Sequence, residues 1–187
     1  MHGDTKCDNV LIFKSETGTG ENWRAKLTDF GHCEIDAGPG HSASSRTSYR
    51  GGTRYYDAPE VIWNTATPEL LHKVDIWCWG LLLWQVIVNG AEFDPHEENW
   101  RDGSQMQQLK EQDRVLATAK SRCEDYINKT HRDEINIFPS IIKALNDTLC
   151  RDPQERRSAK SIVTELKNAI EDLYVLCPFY SAQRPYT

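Results

Sequence analysis

The chain has 187 residues, a net charge of -6 at pH 7, 39% hydrophobic residues and 27% charged residues. That balance fits one soluble globular domain with enough apolar material for a core, and six tryptophans in so short a chain argue against disorder. No stripe of Lys and Arg is present, which excludes the usual electrostatic footprint of a nucleic-acid binder.

The six cysteines, at 7, 33, 78, 123, 150 and 177, show neither CxxC nor Cys/His ligand spacing. The expectation is reduced thiols and an intracellular, cytoplasmic location, with no disulfide framework or zinc site. The six histidines show no metal pattern either. Met1 is followed at once by His2-Gly3-Asp4, which does not read as a signal peptide. The longest apolar run, within Ile76 to Val88, is interrupted by Gln85 and is too short to span a bilayer.

In chain order, Val10 to Phe13 is a short β-branched apolar run, the mark of a buried strand. A polar, Gly-rich turn over 15–22 follows, and Arg24 to Thr28 alternates so that it can pair back as a hairpin. Residues 31–52, rich in Gly, Ser and Arg, read as a long loop of functional length. Pro59 suits the first turn of a short helix through Trp63, and Pro68 breaks the connection that follows.

His72 to Asn89 is the strongest helix candidate. Asp75 near its start can cap free amides or favour the dipole, and Asn89-Gly90 gives a stop. Trp77, Leu81, Trp84 and Val88 form one apolar face and Ile76, Leu83 and Ile87 another, so burial on all sides is expected. Glu92 to Gly103 is acidic and irregular, and a solvated loop is its simplest account. Ser104 to Tyr126 reads as mostly helical with a polar face. Helices over Pro139 to Leu149 and Ser158 to Leu176 follow, joined by Arg151-Asp152-Pro153-Gln154-Glu155-Arg156. The fold class expected is mainly α with a small β-hairpin.

Chemistry concentrates in His2-Gly3-Asp4-Thr5-Lys6-Cys7-Asp8-Asn9, just before the first strand. An acid can orient a hydroxyl and take its proton, a cation can offset charge on a moving phosphoryl group, and an amide oxygen can hold a metal. The octet alone is a weak signal. Thr28-Asp29-Phe30-Gly31 ends the second strand, where a carboxylate followed by a glycine can present itself to Mg²⁺. Gly52-Thr53 to Ala58-Pro59-Glu60, Asp75 to Gly80, and Asp152 to Arg156 complete an ordered series, and the order carries far more weight than any member.

The series resembles the C-terminal lobe of protein kinase domains, from His2 to about Leu173. His2 to Asn9 is similar to the family's H-R-D-x-K-x-x-N loop, Asp29-Phe30-Gly31 to D-F-G, and Ala58-Pro59-Glu60 to A-P-E. The resemblance implies a protein serine/threonine kinase using ATP and Mg²⁺ on a protein substrate. Asp4 would be the base, Lys6 would neutralise the γ-phosphate, Asn9 and Asp29 would hold Mg²⁺, and Leu11 would press on the adenine. Thr53 would bond near Asp4 and Lys6, Glu60 and Arg156 would form a buried ion pair, and Asp75 would bond the loop backbone. His2 would pack under Phe30. Lys6 with Gly52-Thr53 points to Ser/Thr over Tyr specificity.

The pattern departs at Gly3, where the family has Arg, which puts a phosphate-switched activation loop in doubt. Ser42, Ser44, Ser45, Thr47 and Ser48 read equally as phosphosites and as a polar loop. Cys7 and Arg157 stand where Pro is common. No Gly-rich loop or V-A-I-K-type lysine occurs, so the resemblance implies a lobe lacking half the ATP cradle and negligible activity alone. The expected organisation is a kinase C-terminal lobe over 1–176, with the N-terminal lobe missing, and a tail over 177–187. The competing reading is a non-catalytic, pseudokinase-like binding module.

Overall fold

A computed structural model describes residues 1–15, 22–33, 52–88, 104–130 and 137–176. Residues 16–21 of the expected turn over 15–22, the Ser/Thr-rich segment at 42–48, the stop at 89–90, the acidic segment at 92–103 and the tail at 177–187 lie outside them.

The front of the chain is a two-stranded antiparallel hairpin, β1 (Val10–Ser15) and β2 (Asn22–Leu27), with Val10 opposite Leu27. Its placement follows the sequence, but its burial does not. Ile12 is 59% exposed and Trp23 61%, and Leu11, Phe13 and Leu27 are also exposed. Among the described residues nothing layers over these two strands, so apolar side chains stand in the open. Lys26 lies over the Phe13 ring at 5.5 Å and Lys14 over Trp23 at 5.9 Å, covering part of that surface with aliphatic stem and charge.

The body is helical: α1 (Pro59–Ile62), α2 (His72–Ile87), α3 (Ser104–Glu111), α4 (Val115–Thr130), α5 (Phe138–Thr148) and α6 (Ala159–Leu176). Helix α2 packs on α4 and α5, and α5 also meets α6. The Trp77, Leu81, Trp84 and Val88 face is buried in the common core with Met106, Ala119, Cys123 and Leu145. Gly80 lies on this seam. A Cβ there would come within 2.4 Å of Thr148 Oγ1, so only glycine lets α2 and α5 approach this closely.

One helix expectation is corrected. Helix α2 is not buried all round, since Val86 is 63% exposed and Ile76, Leu83 and Ile87 are only partly covered. Apolar periodicity reports affinity for a core, and here the core touches one side. The stretch Ser104 to Tyr126, expected to be mostly helical, is helical as α3 and the first part of α4, with Asp113 between them in a left-handed conformation (φ 54°).

Beneath α1, Arg156 grips Glu60 in a bidentate pair, Nη1 to Oε1 at 2.6 Å and Nη2 to Oε2 at 2.8 Å, both side chains buried. Arg156 Nε also donates to Cys150 O, and its guanidinium lies over Trp77 at 5.0 Å. Every face of the cation is thus occupied, as a buried charge requires. No helix among the described residues is long and apolar enough to cross a membrane. Cys7, Cys33, Cys78, Cys123 and Cys150 are free thiols.

Candidate active site

The loop before β1 folds around its own polar groups. Gly3 takes a positive φ of 82°, and a Cβ at this position would meet His32 O at 2.6 Å. The glycine therefore lets the loop lie directly on the segment after β2. His2 Nε2 donates to Thr28 O at 3.0 Å while its Nδ1 accepts from Asp4 N at 3.4 Å, which fixes the tautomer with the proton on Nε2. Its ring packs against Phe30 with centroids 5.2 Å apart. Thr28 N donates to Asn9 O, so the base of the hairpin is stitched to the loop.

Asp75 does not cap α2. Its carboxylate accepts from His2 N at 2.6 Å and Gly3 N at 2.9 Å. The core helix thereby holds the loop backbone at a distance of more than seventy residues in sequence.

The Asp4 carboxylate, 5% exposed, is the point of convergence. Thr53 donates to its Oδ1 through both N and Oγ1, each at 3.0 Å. Lys6 Nζ reaches Oδ2 at 3.0 Å and Asn9 Nδ2 reaches it at 3.1 Å. Lys6 Nζ also donates to Thr53 Oγ1 at 2.6 Å. Burial raises the Asp4 pKa, but the hydrogen bonds from Lys6 and Thr53 outweigh it and hold the carboxyl below the usual aspartate range. Asp4 is therefore ionised at neutral pH and fixed in orientation. Asp4, Lys6, Asn9 and Thr53, drawn from two distant stretches of sequence, form one cluster.

Asp29 follows β2 in a left-handed conformation (φ 60°), with Gly31 N donating to its Oδ1 at 3.3 Å. It is exposed. Leu11 on β1 is 45% exposed, on the hairpin whose first residue follows Asn9.

Mg²⁺ takes hard oxygen ligands, commonly one or two from protein carboxylates with the rest from phosphates and water. Asn9 spends its Nδ2 on Asp4 and keeps its amide oxygen for other uses, and the exposed Asp29 carboxylate is a hard donor. That donor set fits Mg²⁺. Among the described residues no group of three or more His, Cys, Asp and Glu forms a metal cluster.

A family model for the protein kinase domain matches residues 1–166. The chain belongs to the protein kinase family. It is 35% identical over 91 residues to the serine/threonine-protein kinase PCRK2 of Arabidopsis thaliana, a stretch covering 49% of this chain and 19% of that one. To the serine/threonine-protein kinase TOUSLED of the same plant it is 35% identical over 94 residues, 50% of this chain and 13% of the relative. To protein kinase C zeta type of Oryctolagus cuniculus it is 31% identical over 99 residues, 53% of this chain and 14% of the relative. These alignments thus span less than a fifth of each relative.

Within this kinase domain the role of Gln85 escaped the sequence reading. Gln85 of α2 accepts from both Cys7 Sγ at 2.9 Å and Tyr56 OH at 2.5 Å, tying the loop that bears Lys6 to the loop that bears Thr53. Burial pushes both the Cys7 thiol and the Tyr56 hydroxyl up in pKa, so both stay protonated and able to donate. The signal was a polar residue within the apolar run Ile76 to Val88, visible in sequence only as an interruption.

Proposed function

We propose that the chain is the catalytic-loop part of a serine/threonine protein kinase, transferring the γ-phosphoryl group of ATP to a protein hydroxyl. In this reading residues 1–176 form the C-terminal lobe of the domain and 177–187 a tail. One observation carries it: the buried Asp4 carboxylate is fixed by Lys6, Asn9 and Thr53, and the Lys6 and Thr53 hydrogen bonds keep it ionised.

Asp4 is the base. It orients the substrate Ser or Thr hydroxyl and takes its proton as the new O–P bond forms and the bond to the leaving ADP oxygen breaks. Lys6, already between Asp4 and Thr53, places a positive charge where the γ-phosphoryl oxygens pass. Asn9 and Asp29 are the residues that would hold Mg²⁺, which supplies charge neutralisation on the phosphates. Leu11, exposed on β1, offers an apolar surface to the adenine ring. Thr53, by fixing Asp4, ties the substrate side to the base. The complete set of Asp4, Lys6, Asn9 and Asp29 favours an enzyme over a binding module.

The test joins the chain to a kinase N-terminal lobe carrying the Gly-rich loop and strand lysine, then compares phosphate transfer by the parent and Asp4→Asn. Transfer should fall by roughly 10²–10⁴-fold, the usual weight of a positioned general base. Equal rates would remove Asp4 as the base.

A further inference from the structure

A buried cation outside the Asp4 cluster bears on the same site. Lys110 near the end of α3 is only 2% exposed. Its Nζ donates to Tyr55 O at 2.8 Å and to Arg54 O at 3.3 Å. The next carbonyl, Tyr56 O, accepts from Cys78 Sγ of α2 at 3.2 Å, and Tyr56 N donates back to Thr53 O at 2.7 Å. Three consecutive carbonyls of the loop are therefore held by side chains from two helices, immediately after the threonine that fixes Asp4.

We propose that Lys110 is a positioning residue of this kinase domain, whose ammonium clamps the Arg54 and Tyr55 carbonyls so that Thr53 stays against Asp4 on the substrate side. The inference rests on the kinase reading of the Asp4 cluster. A lysine at a helix surface normally runs its stem along the protein and keeps its charge in water. Burying that charge carries a desolvation cost that a methionine of similar volume does not. Packing alone gives no reason for lysine here. Two backbone acceptors in register with Thr53 do.

Among the described residues the titratable groups that act on Lys110 are the Asp57 carboxylate, on the loop that carries Arg54 and Tyr55, and the Cys78 thiol, on α2. Burial lowers the Lys110 pKa to about 8, against the opposing pull of Asp57. The clamp is thus charged at neutral pH and loses its charge in mildly alkaline solution.

The experiment is amide hydrogen exchange on the 187-residue chain, corrected for intrinsic rates, at pH 7 and pH 9, with parent, Lys110→Met and Lys110→Arg. In the parent, protection of the Thr53 and Tyr56 amides should fall about tenfold between the two pH values, the weight of one lost charge-assisted bond, while amides of the α2 core stay protected. Lys110→Met should show the low protection at both pH values, and Lys110→Arg, which keeps its proton, should lose the pH dependence.

Flat loop protection in the parent overturns the proposal, as does a loss shared equally by α2. If Lys110→Met does not fold, the parent series alone decides. The readout needs neither nucleotide nor transfer. Flat protection beside an intact Asp4→Asn effect would sink the clamp and leave the kinase reading. The reverse result would leave a clamped loop and sink the reading.

Discussion

Two aspartates of the proposed site live in opposite surroundings. Asp4 is buried and takes hydrogen bonds or an ion pair from Thr53, Asn9 and Lys6. Asp29 is exposed, sits on a left-handed turn and accepts one long bond from Gly31 N at 3.3 Å. The contrast suits two different tasks. A group that must aim a hydroxyl gains from having its orientation set by the fold beforehand. A group that must receive a hydrated cation gains from oxygens facing solvent. The fold has spent its polar groups on the first and left the second open.

The difference has an energetic root, and the largest test addresses what both halves stand on. Arg156 is fully buried against Glu60, between the segment carrying Thr53 and the lower helices. Arg156→Ala leaves the Glu60 carboxylate uncompensated and should cost about 3–5 kcal/mol in urea unfolding. A loss below about 1 kcal/mol, the range of exposed pairs, would mean that the pair does not frame the site.

Next in size is the comparison itself. Asp4→Asn removes the ionic partner of Lys6 and weakens the Thr53 bonds. It should destabilise the chain by about 1.5–3 kcal/mol, as for hydrogen bonds to charged groups. Asp29→Asn should stay within about 0.5 kcal/mol, as for surface substitutions. Equal shifts in the urea midpoint would erase the distinction between a closed and an open half.

How much of this was legible in the sequence depended on distance along the chain. The hairpin and the start of α2 follow from local pattern, and their positions match the expectation. Asp75 near a helix start was ambiguous between a local cap and a tertiary contact, and the structure spends it on His2 N and Gly3 N. The family resemblance had pointed to that loop contact where position alone had not. Burial of Val10 to Phe13 and of all sides of α2 was misjudged because apolarity does not count neighbours. The break at Asp113 was missed because one left-handed residue leaves little compositional trace. Gln85 and Lys110 act only through partners that are remote in sequence, so no local pattern shows what they bind.

A smaller test lies on the seam between the two halves. Gly3 has φ 82°, and a Cβ there would meet His32 O at 2.6 Å. Both the conformation and the space are wrong for an L side chain. Gly3→Ala should cost about 1–3 kcal/mol, the scale of local backbone strain, and should push the Asp4 loop off the segment that follows Asp29. A neutral effect on the urea midpoint would show that the seam yields, and that the two halves are less tightly joined than their geometry implies.

The finest test uses acid. The Asp4 carboxyl is held below the ordinary aspartate value because the Lys6 and Thr53 hydrogen bonds outweigh the effect of burial. A depressed folded-state pKa means that the unfolded chain binds the proton more readily, so the bonds to ionised Asp4 stabilise the fold fully above the unfolded value of about 4. As pH falls through that value toward the lower folded one, this contribution drains away. Urea midpoints of parent and Asp4→Asn should therefore differ most near pH 6 and converge below about pH 4, since asparagine does not titrate. The convergence should be absent between parent and Asn9→Ala, which removes a neutral donor and leaves the Asp4 proton equilibrium still coupled to Lys6 and Thr53. A constant gap down to low pH for Asp4→Asn would mean that the carboxylate is not held ionised by its partners, and the preset half of the site would lose the property that separates it from the open one.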